Sequence, residues 1–257
     1  LMPLTKNTPK PMLTVAGLPV TEHQIAMAKA AGIKEIVLAT SYLSEIFTPY
    51  FGDGSKWGIS IKYAVEKEPL GTGGAIRNAA QLLSSDESIV ILNGDVLSSH
   101  NLAEQIRQHE EHNADVTLHL TTVEDARAFG CVPTDQQGRV TAFLEKMENP
   151  VTNQINAGCY VFNPRVLSSI PLDTVVSVER ETFPQLVANN AAVYGYVENA
   201  YWLDIGTPRA LLKASIDIVN KSGGDALAMP GSKIDPTATI GRSEEHTSEL
   251  QSRSAIS

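Results

Sequence analysis

The chain has 257 residues, 42% hydrophobic and 19% charged, with a formal charge of −9, which suits one large globular core or one domain with part of another. Acidic and basic residues are interspersed, so there is no basic stripe of the kind a nucleic-acid surface requires. No apolar run approaches the ~18 residues that span a bilayer, and no basic-plus-apolar signal pattern is visible, so no nucleic acid, no membrane and a cytoplasmic location are expected.

In chain order, LMPLTKNTPKPML (1–13) is a proline-dense loop with no strand pattern ahead of it. TEHQIAMAKAA (21–31) predicts a helix stopped by Gly32, and KEIVLAT (34–40) a buried strand of the parallel type. A short helix over 44–51, a strand at 59–66, a helix at 73–83, a strand at 88–95, a helix at 101–112 and a strand at 115–123 follow in alternation. This order predicts βαβ units and a mostly parallel, doubly wound α/β sheet in the first half. The second half predicts a hairpin around Gln136-Gln137-Gly138 within 130–146, a strand at 155–163, a helix at 177–189, strands at 192–198 and 202–206, and a helix from Pro208 to about Asn220. One domain with a mixed-sheet insertion is therefore expected over 1–222. Beyond it, IDPTATIG (234–241) places Ile234 and Ile240 at the six-residue spacing of a β-helix coil, so 223–241 is expected to be a linker and first coil. RSEEHTSELQSRSAIS (242–257) has no periodicity and looks like translated adapter sequence, so a non-native disordered tail is expected there.

Three stretches carry candidate chemistry. EKEPLGTGGAIRNAA (66–80) runs from a strand through a Gly-rich turn into a helix, which can present backbone N–H groups to a base, ribose or phosphate. The same pattern fits a tight turn in which Gly73 and Gly74 permit close helix–sheet packing. ILNGDV (91–96) puts Asp95 just past the carboxyl end of a buried strand, in the crevice where open α/β sheets bind ligands. A carboxylate there suits a Mg²⁺ that borrows phosphate oxygens, and it equally suits a turn or capping Asp. YWLDIGTP (201–208) closes another apolar strand in Asp204, so two carboxylates from distant strands are candidates to share one metal. Cys131 and Cys159 lack CxxC spacing and are expected to be buried free thiols. His109 and His112, beside Glu110 and Glu111 on a polar helix face, are expected to be solvated rather than metal-bound.

PLTKNTPKPML, EPLGTGGAIRN, NGDVL, FLEK, INAGCYVF, SVERETFPQLV and WLDIGTP occur in the order and spacing of the sugar-1-phosphate nucleotidyltransferases. The chain most resembles their mannose-1-phosphate guanylyltransferase (GDP-mannose pyrophosphorylase) group of the bacterial type, which carries a C-terminal left-handed β-helix; the resemblance covers residues 1 to about 241. It implies a Rossmann-like mixed sheet and a Mg²⁺-dependent reaction. In that reaction a phosphate oxygen of mannose 1-phosphate attacks the α-phosphorus of GTP in line and expels pyrophosphate. The family roles fall on Lys10 for the nucleotide phosphates, on Glu68, Pro69, Leu70, Gly71, Thr72 and Gly94 for the nucleotide, and on Asp95 and Asp204 for Mg²⁺. Glu145 and Lys146 would grip the sugar phosphate, Asn156, Ala157 and Gly158 would line the sugar pocket, and Glu179 would accept from sugar hydroxyls. Taken singly, Lys10 also fits a solvated loop lysine, Glu145 and Lys146 strand-end charges, and Glu179 a capping arrangement begun by Ser177.

In such enzymes a Gly-rich turn ending in Arg, GGxGTR, comes directly before LxPLT at the end of a first strand. The resemblance therefore also implies that this chain lacks the first strand and the phosphate-wrapping turn, and that without them it is impaired and poorly stable. Homo-oligomerisation is left open. The alternatives are another nucleotide and sugar pair (dTTP or UTP with glucose 1-phosphate, or GTP with a heptose 1-phosphate) and a non-catalytic regulatory subunit that senses a sugar nucleotide. Retention of Lys10, Asp95, Glu145, Lys146 and Asp204 speaks against the sensor, and no DxD pair of the glycosyltransferase kind is found.

Overall fold

The computed structural model describes residues 1–40, 44–66, 68–84 and 87–222. The expected linker and β-helix coil over 223–241 and the expected tail over 242–257 lie outside the described residues. Two 3₁₀ turns, Leu4–Lys6 and Lys10–Met12, form the proline loop and lead into a tight hairpin of β1 (Thr14–Val15) and β2 (Leu18–Pro19). Ala16 and Gly17 turn that hairpin with φ of 50° and 87°, the left-handed pair that two-residue hairpin loops demand. Helix α1 (Val20–Ala30) and strand β3 (Glu35–Thr40) follow as predicted, with Gly32 at φ 88° ending the helix.

β3 pairs in parallel with β4 (Ser60–Val65), in register from Glu35 opposite Ser60 to Thr40 opposite Val65, and α2 (Phe47–Phe51) lies in the crossover between them. Helix α3 (Gly71–Ala80) leads to β5 (Ile89–Leu92). The strand predicted at 88–95 is two strands: the chain turns at Asn93–Asp95 and continues as β6 (Val96–Ser98). Helix α4 (Leu102–Glu111), β7 (Val116–Thr122), β8 (Gln154–Phe162), α5 (Pro164–Leu167), a π turn over Val178–Thr182, α6 (Phe183–Ala188), β9 (Val193–Val197), β10 (Trp202–Asp204) and α7 (Pro208–Ser222) complete the described chain. The hairpin expected near Gln136-Gln137-Gly138 is present, with Thr134 bridged to Val140 and Gly138 at φ 80°.

The sheet is mixed, as expected for the second half of the chain, and the antiparallel strand stands at its centre. β8 lies between β5 and β7 and runs antiparallel to both, giving the order β5-β8-β7-β9 with β9 parallel to β7. A strand covered on both faces is apolar throughout whichever way it runs, so INAGCYVF could not report its direction. β10 pairs antiparallel with β6 in a separate two-stranded ribbon.

β3 and β5 are each at the edge of their own sheet, and both line a cavity of about 990 Å³. Their residues are mostly half-buried rather than buried as predicted, because the cavity opens beside them.

Three cores hold the elements. The largest packs Leu118, Leu120, Tyr160, Phe162 and Phe183 between the four-stranded sheet and the helices after it. A second gathers Met12, Ile25, Phe47, Phe51, Ile59 and Ile61 around α1 and β4. The third, Val15, Val20, Leu97, Ile205 and Ala214, pins the β6–β10 ribbon to the first hairpin and α7. Cys131 and Cys159 are buried and free, as expected. His109 departs from expectation: it is buried, with Nδ1 at 3.0 Å from the Thr117 hydroxyl, since residue 109 falls on the face of α4 that packs against β7. His112 stacks on Tyr194 with ring centroids 4.3 Å apart. Among the described residues no group of three or more His, Cys, Asp or Glu side chains could hold a metal.

Candidate active site

The β6–β10 ribbon brings the two distant aspartates together. Asp204 is the residue opposite Val96, and the Ile205 N–H donates to the Asp95 carbonyl at 2.8 Å, so Asp95 and Asp204 flank the same end of the ribbon. Lys10, on the second 3₁₀ turn, places Nζ 3.3 Å from Asp95 Oδ2. The Asp204 carboxyl is raised above its ordinary range, first by burial and then by the charge of Asp95, while Lys10 and Lys146 pull it down. Four candidate groups from four separate segments therefore share one field. A carboxyl whose proton affinity is raised by a second carboxylate belongs to a site that gains from a cation. Their donors are hard oxygens and too few to fill an octahedron alone, which fits a Mg²⁺ completed by water and phosphate.

Gly94 lies beneath Pro11, and a Cβ there would come within 2.9 Å of the Pro11 ring. The proline loop thus closes over the Asn93–Asp95 turn because residue 94 has no side chain. The Asn93 N–H donates to the Gly158 carbonyl at 2.8 Å, joining this turn to β8.

On β8, Asn156 donates from Nδ2 to the Tyr160 hydroxyl at 2.8 Å and accepts the Gly158 N–H on Oδ1 at 3.1 Å. Gly158 has φ 77°, and a Cβ there would strike Asn93 at 2.9 Å, so both the bend and the approach of the two strands need glycine. The indole N–H of Trp202 donates to the Ala157 carbonyl at 2.9 Å. Phe129 sits edge-on against Trp202, and Glu145 Oε2 lies 3.3 Å from where a Cβ on the adjoining Gly130 would be. Ala157 and Gly158 are thereby tied to Trp202 and to the Asn93 turn, Lys146 acts on the Asp204 carboxyl, and Glu145 lies by Gly130, whose carbonyl accepts the Asn156 N–H. Trp202 and Phe129, which the sequence reading passed over, stand among them.

The GTGG stretch is the first turn of α3 rather than a loop ahead of it. Its glycines admit the backbone of 174–176: added Cβ atoms at Gly73 and Gly74 would meet the Val176 side chain at 2.8 Å and the Thr174 carbonyl at 2.4 Å. The Gly73 N–H donates to the Val176 carbonyl at 2.7 Å, so these two glycines do permit close packing, but against the irregular 174–176 segment rather than against the sheet. Thr72 accepts the Val178 N–H on its hydroxyl at 3.0 Å and donates to Glu179 Oε2 at 2.8 Å. Ser177 caps the π turn through Arg180 N–H, and Glu181 accepts the Ser177 N–H at 2.9 Å. Glu181 thus takes the backbone capping bond, while Glu179 accepts from the Ser177 hydroxyl at 3.0 Å as well as from Thr72 on the same Oε2, and lies near enough to help push the buried Tyr160 hydroxyl up.

Glu68 and Pro69 are exposed, ahead of α3. At the end of β4, Glu66 has a buried Oε1 with no hydrogen-bond partner, and burial raises its carboxyl. No spacing rule in the sequence singled it out.

The family described as nucleotidyl transferase matches residues 1–221. The chain is similar to a curated mannose-1-phosphate guanylyltransferase of Mycobacterium tuberculosis, 48% identical over 250 residues covering 93% of this chain and 69% of the relative. A mannose-1-phosphate guanyltransferase of Yarrowia lipolytica is 35% identical over 255 residues, with 93% and 69% covered. Among solved structures, HddC from Yersinia pseudotuberculosis complexed with GMP-PN is similar with a TM-score of 0.71 at 25% identity, over 85% of this chain and 94% of that one.

Proposed function

Because this chain belongs to the nucleotidyl transferase family, we propose that it transfers the guanylyl group of GTP to mannose 1-phosphate, releasing pyrophosphate and GDP-mannose. The observation that carries the reading is the convergence of Lys10, Asp95, Asp204 and Lys146 on one point. The relatives' activity supplies the substrates. Phosphoryl-type displacements ask for positioning and charge neutralisation rather than covalent help. Lys10 and Lys146 bring fixed positive charge to the phosphates. Asp95 and Asp204 would hold Mg²⁺, which when bound acts as Lewis acid and template. Asn156, the Ala157–Gly158 backbone, Glu145 and Glu179 orient the sugar. Thr72 and the 66–71 segment receive the nucleotide.

Glu66, the acid just past β4 and ahead of the Gly-rich segment, is the candidate for reading guanine. An ionised carboxylate only accepts hydrogen bonds, and guanine offers an N–H and an amino group side by side, whereas thymine and uracil offer one N–H. Pyrophosphate release measured across four nucleoside triphosphates and several sugar 1-phosphates should be fastest for GTP with mannose 1-phosphate. Preference for dTTP or UTP with glucose 1-phosphate, or for GTP with a heptose 1-phosphate, would overturn the specificity and leave the reaction class standing.

We propose further that the cavity between β3 and β5 is the seat of the strand and Gly-rich Arg turn that the resemblance places ahead of Leu1. Two strands that each have a free edge among the described residues, both lining one void, support it. The domain limits at 222 and 241 and a cytoplasmic setting belong to the same proposal. Two buried free thiols support that setting; among the described residues no helix is long and apolar enough to cross a membrane.

A further inference from the structure

The turn that carries Asp95 is held from α1. Gln24 donates both hydrogens of its side-chain amide, one to the Asn93 carbonyl at 2.7 Å and one to the Val96 carbonyl at 2.8 Å. Those carbonyls bracket Gly94 and Asp95. The Val96 N–H closes the turn on Asn93 O at 3.1 Å, Ile205 just past β10 holds the Asp95 carbonyl, and Gly158 on β8 holds the Asn93 N–H. Three elements thus grip the backbone of one four-residue turn, and α1 does so through a single side chain. Gln24 is half-buried and lines the cavity as well as a small void bounded by Ser98, His100, Gly158 and Cys159, so little else fills the space between helix and turn. Asp95, by contrast, keeps a side chain about one-third exposed (35%); its aim depends on its backbone.

We infer that Gln24 is a positioning residue for the Asp95 carboxylate: by tying both flanking carbonyls to α1 it sets where Asp95 stands relative to Asp204, and hence how well the pair binds a divalent cation. The chemistry is specific to a primary amide, because two acceptors a turn apart need two N–H donors on one atom without a charge that would oppose the cation. Supporting residues behind a metal ligand typically govern affinity by about 10–100-fold. The inference rests on the reading of Asp95 as a metal carboxylate.

The test is Mn²⁺ binding by the whole chain, followed by electron paramagnetic resonance in the presence of a non-hydrolysable GTP analogue, for the parent, Q24M, D95N and the double variant. Q24M keeps the volume and removes both donors. It is expected to weaken Mn²⁺ binding at least about tenfold in the parent and to add nothing in the D95N background, the signature of two residues acting as a unit. A purely structural role would lower the melting temperature equally in both backgrounds and leave Mn²⁺ affinity at the parent value; that result overturns the inference, as do losses that multiply. If Q24M does not fold, Q24E, of the same shape but with a carboxylate against the two carbonyls, is measured in its place, and failure of both to fold assigns Gln24 to stability alone. No Mn²⁺ binding by the parent, or unchanged binding in D95N, overturns the metal reading and this inference with it. Normal loss in D95N beside parent affinity in Q24M overturns the inference alone.

Discussion

At Asp204 stability and function pull in opposite directions. Its carboxyl is raised by burial and by Asp95, so the native state holds that proton more tightly than the unfolded chain does. Between the unfolded value and the raised folded value, stability therefore falls as pH rises, and at neutral pH the ionised group is a net cost. D204N keeps the shape and removes the charge. It is expected to raise the melting temperature without Mg²⁺, to abolish the further rise that Mg²⁺ gives the parent, and to reduce turnover by at least ~100-fold, the equivalent of a few kcal/mol of lost charge stabilisation. Thermal melts with and without Mg²⁺, alongside pyrophosphate release, read all three; a D204N protein that melts below its parent would sink the account. Asp95 and Asp204 were legible because each closes a patterned strand, where α/β sheets put their ligands; Lys10, in a proline loop with no strand pattern ahead of it, was legible only through the family resemblance. Gln24 and Glu66 were not. A glutamine inside TEHQIAMAKAA gives no hint that it bonds a carbonyl 69 residues away, and Glu66 differs from a solvated strand-end acid only by burial.

The elements around the site depend on how closely the α3 N-terminus meets the 174–179 segment. Gly74 has no room for a methyl group, since a Cβ there would lie 2.4 Å from the Thr174 carbonyl and 2.7 Å from Leu70 Cβ. G74A should therefore push the two segments apart, cost about 1–3 kcal/mol as overpacking does, and loosen the Thr72–Glu179 contact, raising the KM for substrate. G138A is the control: at φ 80° its strain is in the backbone, and its nearest neighbour is 3.7 Å away, so it should lower stability and leave KM unchanged. Denaturant unfolding and substrate titration separate the two; a G74A variant with parental KM would show that Thr72 and Glu179 do not need each other. The order of elements followed from hydrophobic period and turn chemistry. Strand direction did not, because alternation and apolar runs carry no sign of which way a strand points; hence the central place of β8 came only from the structure. Nor could the pattern show that NGD breaks one expected strand into two. A helix start at Gly71 rather than 73 comes from the Val176 carbonyl, a contact across more than a hundred residues.

For the whole molecule, buried histidines set the acid limit. His100 and His119 stack at 3.8 Å, and burial pulls His119 down to about 3 and His109 to about 4 from the usual 6.5. Neutral in the native state, they take up protons more readily when unfolded, so stability is lost as pH falls from about 6.5 toward those values, by up to ~1.4 kcal/mol per pH unit for each. H119Q should flatten that limb relative to the parent in urea melts from pH 7 to 5; an unchanged slope would clear His119. A second weakness lies between the sheets. Unpaired strand edges invite association with other chains, and β3 and β5 leave their edges beside a void of about 990 Å³ in the very place where close packing normally stabilises an α/β sheet. If that void is the seat of a further strand, one segment would complete both edges and carry its Gly-rich turn toward Lys10 and the aspartates, coupling stability to phosphate binding. A version extended ahead of Leu1 by an apolar strand ending in GGxGTR is therefore expected to melt higher, to associate less than this chain at equal concentration, and to turn over faster. Melting curves, light scattering and pyrophosphate release measure these together. Equal turnover by the two versions would mean that Lys10, Asp95, Asp204 and Lys146 suffice without the added turn, and that the cavity plays no part in the reaction.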